Sequence, residues 1–410
     1  MNKYDVVVIG GGPAGLSSAY VATKNGAKTL LIERENKLGG ILKQCIHDGF
    51  GVTRFKEKLS GPEYAYREIE KIIGTDCEIS LNSFVTNFIK KDDGYEIEFT
   101  TTSGMKRIFT SKIILATGCR ERSSRGVMIT GTNPAGVMNA GQAQYYMNIM
   151  GKMPAKKAVI LGSGDIGLIM ARRITLEGGE VLGVYEVKPT PSGLSRNIAQ
   201  CLDDFDIPLH LSMTVTRVFG KDRLEAVEVA KVDDKMNVIK GTEEIINCDT
   251  LILSVGLIPE NELATKLGVK LSPQTKGPIC DQTFMSLVDN VYTCGNAMHV
   301  NDLADFVSES GEIAGLNAAL NKSNEHKYSN VKSSKDFGYV VPQVIDFNKD
   351  VNNITFYFRV RDEIKNKTLL VKQNNEVLLK RKFSTLRPPE MEKIKLSLSN
   401  EGDLSFEFLE

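Results

Sequence analysis

The pattern G-x-G-x-x-G occurs twice in this chain of 410 residues, at Gly10, Gly12 and Gly15 and again at Gly162, Gly164 and Gly167. Both copies stand in the same context. An apolar run precedes each, Val6 to Ile9 in the first and Ala158 to Leu161 in the second. Such runs suit strands buried on both faces of a parallel sheet. Helical sequence follows, Leu16 to Thr23 and Leu168 to Glu177, and then a second apolar strand that ends on an acid. These strands are Thr29 to Ile32 before Glu33, and Val181 to Tyr185 before Glu186. In this turn the first glycine permits the bend, the second lets the backbone approach a pyrophosphate, and the third allows helix and strand to pack closely. Free N–H groups and the dipole at the helix start favour the phosphates, and the acid suits ribose hydroxyls. A single copy is weak evidence. Two complete copies predict an α/β chain with two Rossmann-like dinucleotide-binding domains.

The order of the remaining segments predicts that one domain is inserted in the other. The strand Lys112 to Leu115 runs into Ala116-Thr117-Gly118, and Thr250 to Val255 runs into Gly256 in the same way. From Pro278 the chain returns to the first domain through Val291 to Thr293 and Cys294-Gly295-Asn296. The expected division is 1–120 with 275–325, an insert at 121–274, and a small antiparallel β domain at 336–410. Period-two alternation predicts a meander of Ser80 to Ile89, Tyr95 to Thr100 and Lys106 to Phe109. Helices are expected at Pro62 to Ile73, Ala140 to Met150 and Asp302 to Leu320, the last capped by Asn301 or Asp302. Its small residues Gly311, Ala314, Gly315 and Ala318 allow a neighbouring element to approach closely. Asn321 to Lys335 reads as a polar linker. The β domain beyond it has no cysteine or histidine and reads as a docking or dimerisation module.

Lys plus Arg equals Asp plus Glu at 51 each, so no global field attracts nucleic acid or an anionic membrane. The first strand starts within a few residues of Met1, and no apolar run approaches the roughly 20 residues that span a bilayer. The expectation is a cytoplasmic protein with no integral membrane segment. Seven scattered cysteines include no C-x-x-C pair, so no metal site is predicted. Glu186 accepts a free ribose 2′-hydroxyl and repels a 2′-phosphate, which favours NAD(H) over NADP(H), while Lys188 weighs the other way. Cys45 and His47 lie in a glycine-rich loop dense in reactive side chains. They are candidate catalytic residues if the imidazole activates the thiol, and packing residues otherwise.

These motifs in this order resemble the flavoprotein oxidoreductases with two dinucleotide-binding domains, the pyridine nucleotide–disulfide oxidoreductase group that includes thioredoxin reductase, glutathione reductase and NADH oxidase. The likeness covers residues 1 to about 325. It implies FAD at Gly10, Gly12, Pro13, Ala14, Gly15, Glu33, Arg34, Gly40, Thr117, Gly118, Gly295 and Asn296. NAD(H) is implied at Gly162, Gly164, Asp165, Ile166, Gly167, Glu186 and Gly256. The segments Gly39 to His47, Gly162 to Arg173 and Cys294 to His299 are similar to a bacterial group of FAD- and NAD-binding electron-transfer subunits. Members of that group accompany glycerol-3-phosphate or 2-hydroxyglutarate dehydrogenase-like flavoproteins, often with a small cysteine-containing protein. Related subunits serve opine, amino-acid and cyanide-forming dehydrogenases. The resemblance therefore implies an oligomer in which hydride passes between nicotinamide and flavin, and the flavin exchanges electrons with a partner dehydrogenase subunit. It also implies that the helix near Asp302 points its positive end at the flavin, and it leaves His299 either at the ring's edge or on the surface. Two departures stand out. Cys45 is alone where disulfide reductases carry a pair, and Asn296 stands where Asp is usual. A stand-alone NADH oxidase or NADH-dependent disulfide reductase using Cys45, and a non-catalytic subunit that holds flavin, remain alternatives.

Overall fold

The β-branched run after Asp5 becomes the centre of a seven-stranded sheet. In the computed structural model, which describes residues 1–321, 323 and 325–409, Val6, Val7 and Val8 are fully buried in the strand Asn2–Ile9. That strand pairs in parallel with Thr29–Ile32 and with Gly104–Leu115. The latter was expected as two strands and is one of 12 residues. Its first half closes the antiparallel meander with Gly94–Thr101, and its second half runs parallel to Asn2–Ile9 and Val291–Thr293. Thr110 and Ser111 look like a break in sequence. The Thr110 hydroxyl bonds the Lys112 carbonyl at 2.9 Å and the ladder continues past it.

Packing divides the chain into Met1–Cys119 with Pro259–Glu410, and Arg120–Ile258. The insert thus ends earlier than the expected residue 274. Ala264 and Val269 are buried with Val7, Ile9, Ile97 and Val291 against the first sheet, with Leu263, Leu267 and Leu271 beside them. The inserted unit has a five-stranded parallel sheet, in the order Val137–Asn139, Thr250–Leu253, Lys157–Leu161, Glu180–Glu186 and Leu209–Leu211. Helices Ala140–Asn148 and Asp165–Leu176 cover one face through Ala140, Ala143, Leu168, Ala171 and Ile174.

In the first unit, helix Ala304–Leu320 lies against helix Pro13–Lys24. A Cβ at Gly311 would sit 2.2 Å from the Ala14 carbonyl oxygen, and one at Gly315 2.3 Å from that of Ser18. The small residues are what lets the two backbones touch. The expected caps are not used: Leu303 occupies the N-cap position without a side-chain bond. Asp302 instead accepts the Met391 N–H at 2.9 Å and pairs with Arg359 at 3.0 Å.

The segment read as a linker holds a strand, Tyr328–Ser333, parallel to Leu404–Leu409. The C-terminal β structure therefore starts before residue 336 and is not wholly antiparallel; of the linker, Lys322 and Asn324 lie outside the described residues. A five-stranded and a three-stranded sheet enclose Phe337, Phe356, Phe358, Phe383 and Phe406. No helix among the described residues is long and apolar enough to cross a membrane.

Candidate functional site

The three glycines of the first fingerprint do three different things. Gly10 turns the chain at φ +109°, where a Cβ would also strike the Ala116 carbonyl oxygen at 2.3 Å. At Gly15 a Cβ would sit 1.7 Å from the Gly10 oxygen, so the helix can rest on the strand end only with glycine there. Gly12 has ordinary backbone (φ −77°) and open space in front of it. The nearest atom to an added Cβ is Gly40 Cα at 3.9 Å. Pro13 follows at the first helical turn, where its missing N–H costs nothing. Ala14 is buried beneath Gly295, whose Cβ would lie 2.8 Å from that of Ala14.

Glu33 is buried beside this turn. Its Oε2 accepts the Gly11 N–H at 2.5 Å and its Oε1 the Glu35 N–H at 2.8 Å. A carboxylate offers about four acceptor sites, so it retains capacity for ribose hydroxyls. Arg34 points outward, 3.9 Å from Glu35. Thr117 Oγ1 donates to the Glu260 carbonyl at 2.7 Å, while Gly118 (φ +73°) faces open space. Asn296 Oδ1 accepts the Asn301 N–H at 3.0 Å and its Nδ2 donates to Cys119 Sγ at 3.5 Å. These contacts gather Gly10, Gly12, Gly15, Glu33, Gly40 and Gly295 around the start of helix Pro13–Lys24. Arg34 is the exception.

The second fingerprint is built around Ser254, a residue the sequence reading passed over. A Cβ at Gly162 would lie 2.2 Å from the Ser254 carbonyl oxygen, and one at Gly167 2.6 Å from the Ser254 Cβ. Ser254 Oγ accepts the Gly167 N–H at 3.1 Å. Glu186 is buried and receives Ser163 through both its N–H (3.1 Å) and its hydroxyl (2.6 Å). Gly256 (φ +98°) faces open space, as Gly118 does. Two residues of the expected NAD set turn their side chains to the protein itself. Asp165 Oδ1 accepts from the Leu194 N–H at 2.9 Å and from Asn197 Nδ2 at 2.7 Å, and the Ile166 side chain packs on the helix–sheet core.

Cys45 is only 5% exposed, its Sγ lies 3.4 Å from the Ile41 carbonyl, and burial pushes the thiol up to about 12. That environment opposes the activated thiol considered for catalysis. His47 rests beside Phe50, ring centroids 5.0 Å apart, with Nδ1 3.2 Å from the Asp48 carbonyl. None of the seven cysteines is in a disulfide, and no cluster of metal-ligating side chains occurs among the described residues. The first turn of helix Ala304–Leu320 carries a buried carboxylate, Asp305, which accepts the N–H groups of Gly51 (3.1 Å), Thr53 (2.7 Å) and Arg54 (3.1 Å). Arg54 in turn pairs with Glu68 and Glu312 at 2.7 and 2.6 Å. Sequence reasoning missed this clasp, because nothing in the spacing of Arg54, Glu68 and Asp305 brings them together.

A family model for the pyridine nucleotide-disulphide oxidoreductases matches residues 4–321. The chain belongs to that family. Its members bind FAD and NAD(P)H, and the chain is an FAD/NAD(P)-dependent oxidoreductase. Hydrogen cyanide synthase subunit HcnB of Pseudomonas protegens is 25% identical over 339 residues, 77% of this chain and 67% of that protein. An opine oxidase subunit of Agrobacterium tumefaciens is 22% identical over 336 residues, 77% of this chain and 65% of that protein. The chain thus spans about two thirds of the length of these relatives. Thioredoxin reductase of T. acidophilum shares the fold, with a TM-score of 0.62 at 21% identity over 78% of this chain and 98% of that one. The family match ends before the C-terminal strands begin. The residues present fit both cofactors: open space in front of Gly12 and beside Gly118 and Gly256, and a buried carboxylate next to each glycine turn.

Proposed function

We propose that this chain is an electron-transfer subunit, passing electrons between NAD(H) and a partner redox subunit through FAD. The leading partner is a dehydrogenase flavoprotein acting on glycerol-3-phosphate or a 2-hydroxyacid, with a small cysteine-containing protein as a further member of the complex. The observation that carries this reading is two glycine turns, each beside a buried carboxylate, in a chain whose seven scattered cysteines include no C-x-x-C pair. Cys45 is buried and protonated, so a thiol relay within the chain finds no support. Two relatives bear the names of subunits, one of a cyanide synthase and one of an opine oxidase, which supports a role within a complex.

When bound, flavin and nicotinamide supply the hydride and electron transfer. The chain's own residues bind and orient. In the first unit Gly12 would admit the pyrophosphate to the helix N-terminus, Glu33 would hold the ribose, and Asn296 would hydrogen-bond the flavin's polar chain. In the second unit Gly164 and Glu186 take the corresponding parts for NAD. Glu186 is oriented by Ser163 and Lys188, so its carboxylate meets a 2′-phosphate with like charge, which costs several kcal/mol.

Anaerobic titration of the FAD-loaded chain tests the cofactor half of the reading. NADH should bleach the flavin at concentrations about tenfold or more below NADPH. Purification from the native cell tests the rest, with a dehydrogenase subunit identified by mass spectrometry as the expected companion. Fast consumption of oxygen or a disulfide by the isolated chain would favour the stand-alone reductase, and flavin that NADH leaves oxidised would favour an assembly role.

A further inference from the structure

The two glycine turns differ in the residues that flank their middle glycine. Where the first unit has Gly11 and Pro13, the second has Ser163 and Asp165. Gly11 and Pro13 carry no polar side chain. Ser163 and Asp165 do, and both direct it to one stretch of chain, residues 187–194, which follows the buried acid Glu186.

That stretch returns to the glycine turn and is tied to it at three points. The Ser192 N–H donates to Ser163 Oγ at 2.8 Å, and the same hydroxyl donates to Glu186 Oε2 at 2.6 Å. Gly193 is buried against the turn, where a Cβ would lie 2.7 Å from the Ser163 carbonyl oxygen and 2.8 Å from Leu168 Cδ1. The Leu194 N–H donates to Asp165 Oδ1 at 2.9 Å, and Asn197 Nδ2 donates to the same oxygen at 2.7 Å. At its other end the stretch is held through Lys188. The Lys188 N–H donates to Glu186 Oε1 at 3.1 Å, and its carbonyl accepts the Ser212 N–H at 3.0 Å. Only Lys188, Pro189 and Thr190 are exposed along it. Residues 187–194 thus form a strap, pinned at both ends and passing beside the two oxygens of Glu186.

Asp165 needs such a reason to be where it is. A carboxylate in the first turn of helix Asp165–Leu176 suits the helix dipole. It does not suit a pyrophosphate brought to the same helix start, which carries like charge. The two donors that Oδ1 accepts account for the acid.

We propose that Ser163 and Asp165 are positioning residues that hold the strap in place as a preformed wall of the NAD site in the second unit. The proposal rests on the reading that NAD(H) binds around Gly164 and Glu186, and it gives Asp165 a part in that site without contact to the coenzyme. A wall fixed before binding spares the complex the entropy of ordering it. Loss of the ties therefore weakens coenzyme binding and leaves the transfer from bound coenzyme unchanged.

The test uses the full chain loaded with FAD. Calorimetric titration with NAD+ should give a Kd about tenfold higher in Asp165→Ala than in wild type. FAD content, and the rate at which saturating NADH bleaches the flavin, should stay within about twofold. Asp165→Asn keeps the Oδ1 acceptor and should restore most of the affinity. Ser163→Gly gives the second unit the residue of the first and should weaken binding in the same direction as Asp165→Ala. Amide hydrogen exchange, resolved to single residues by fragmentation in the mass spectrometer, reads the strap directly. Without nucleotide, the Ser192 and Leu194 amides should exchange about tenfold or more slowly than that of Thr190, and Asp165→Ala should release Leu194. NAD+ affinity within about twofold of wild type in Asp165→Ala would overturn the proposal and leave the NAD reading intact, as would strap amides that exchange as fast as Thr190. A wild-type chain that holds FAD but binds no NAD+ would remove the reading and the proposal together. If Asp165→Ala does not fold, Ser163→Gly and the exchange measurement decide.

Discussion

At the scale of single residues, Asp281 and His299 respond to acid in opposite directions. Asp281 is fully buried, and its Oδ1 accepts the N–H (2.8 Å) and hydroxyl (2.6 Å) of Thr283. Burial nevertheless raises its pKa to about 6, with the Asp346 charge adding to the shift, and its Oδ2 has no partner among the described residues. The folded chain therefore holds a proton there that the unfolded chain has released by pH 5. That contribution is present below about pH 4 and is lost, up to about 3 kcal/mol, as pH rises through 6. Asp281→Asn keeps the Oδ1 acceptor and removes the titration. Urea unfolding of the apo chain should show it gaining on wild type by about 1–3 kcal/mol between pH 4.5 and 7. His299 runs the other way. Its pKa falls from 6.5 to about 3, so its contribution is complete above pH 6.5 and is lost as pH falls toward 3. His299→Gln should flatten the acid limb of the same curves. Cys45 is the third case. With the thiol near 12, the thiolate fraction at pH 7.5 is on the order of one in 10⁴ to 10⁵. Cys45→Ser should leave NADH-to-dye turnover unchanged within about twofold, and iodoacetamide should not label Cys45 in the folded chain.

At the scale of elements, the contact between helices Pro13–Lys24 and Ala304–Leu320 has almost no tolerance. Gly311→Ala places a methyl 2.2 Å from the Ala14 carbonyl, a backbone atom that is itself part of the first glycine turn. The cost should be about 1–3 kcal/mol or more, read as a lower Tm together with weaker FAD retention. Gly74→Ala is the control: it ends a helix at φ −79°, its nearest neighbours stand 3.9 Å away, and it should change stability by less than about 0.5 kcal/mol. Some of this scale is legible in the chain. The helix expected at Pro62 to Ile73 forms as Gly61–Ile73, and the small-residue stripe of helix Ala304–Leu320 signals close packing. That the expected cap at Asp302 does not form is not legible, because a residue 57 positions away, Arg359, competes for the same carboxylate. The strand Tyr328–Ser333 is hidden for a similar reason: polar residues take a place in a sheet whose partner, Leu404–Leu409, arrives at the far end of the chain.

At the scale of the whole molecule, each of the two units carries its own cradle, and each can be disabled separately. Gly12→Asp puts a carboxylate into the open space before the first fingerprint helix. Asp suits an N-cap, so the fold should persist while FAD is lost. Absorbance at 450 nm and circular dichroism check the two halves of that statement. Glu186→Ala removes the second unit's buried acid, and should raise the NADH concentration that bleaches the flavin by about tenfold while FAD content stays constant.

The sequence by itself determined the two strand–glycine–helix–acid units, because their chemistry is local: Gly10 and Gly162 need a left-handed turn, Gly15 and Gly167 need room, and all lie within a few residues of the strands they serve. It also determined that the second unit interrupts the first, since the order of motifs is the order of the chain. Tertiary structure alone decided the rest. It settled that Cys45 is buried, that Asp165 turns to Asn197, and that Ser254 is the floor of the second turn. It also joined Arg359 and Tyr339 to His299. These depend on contacts between residues far apart in the chain, where burial and hydrogen-bond competition set each side chain's state and no periodicity or spacing encodes the outcome.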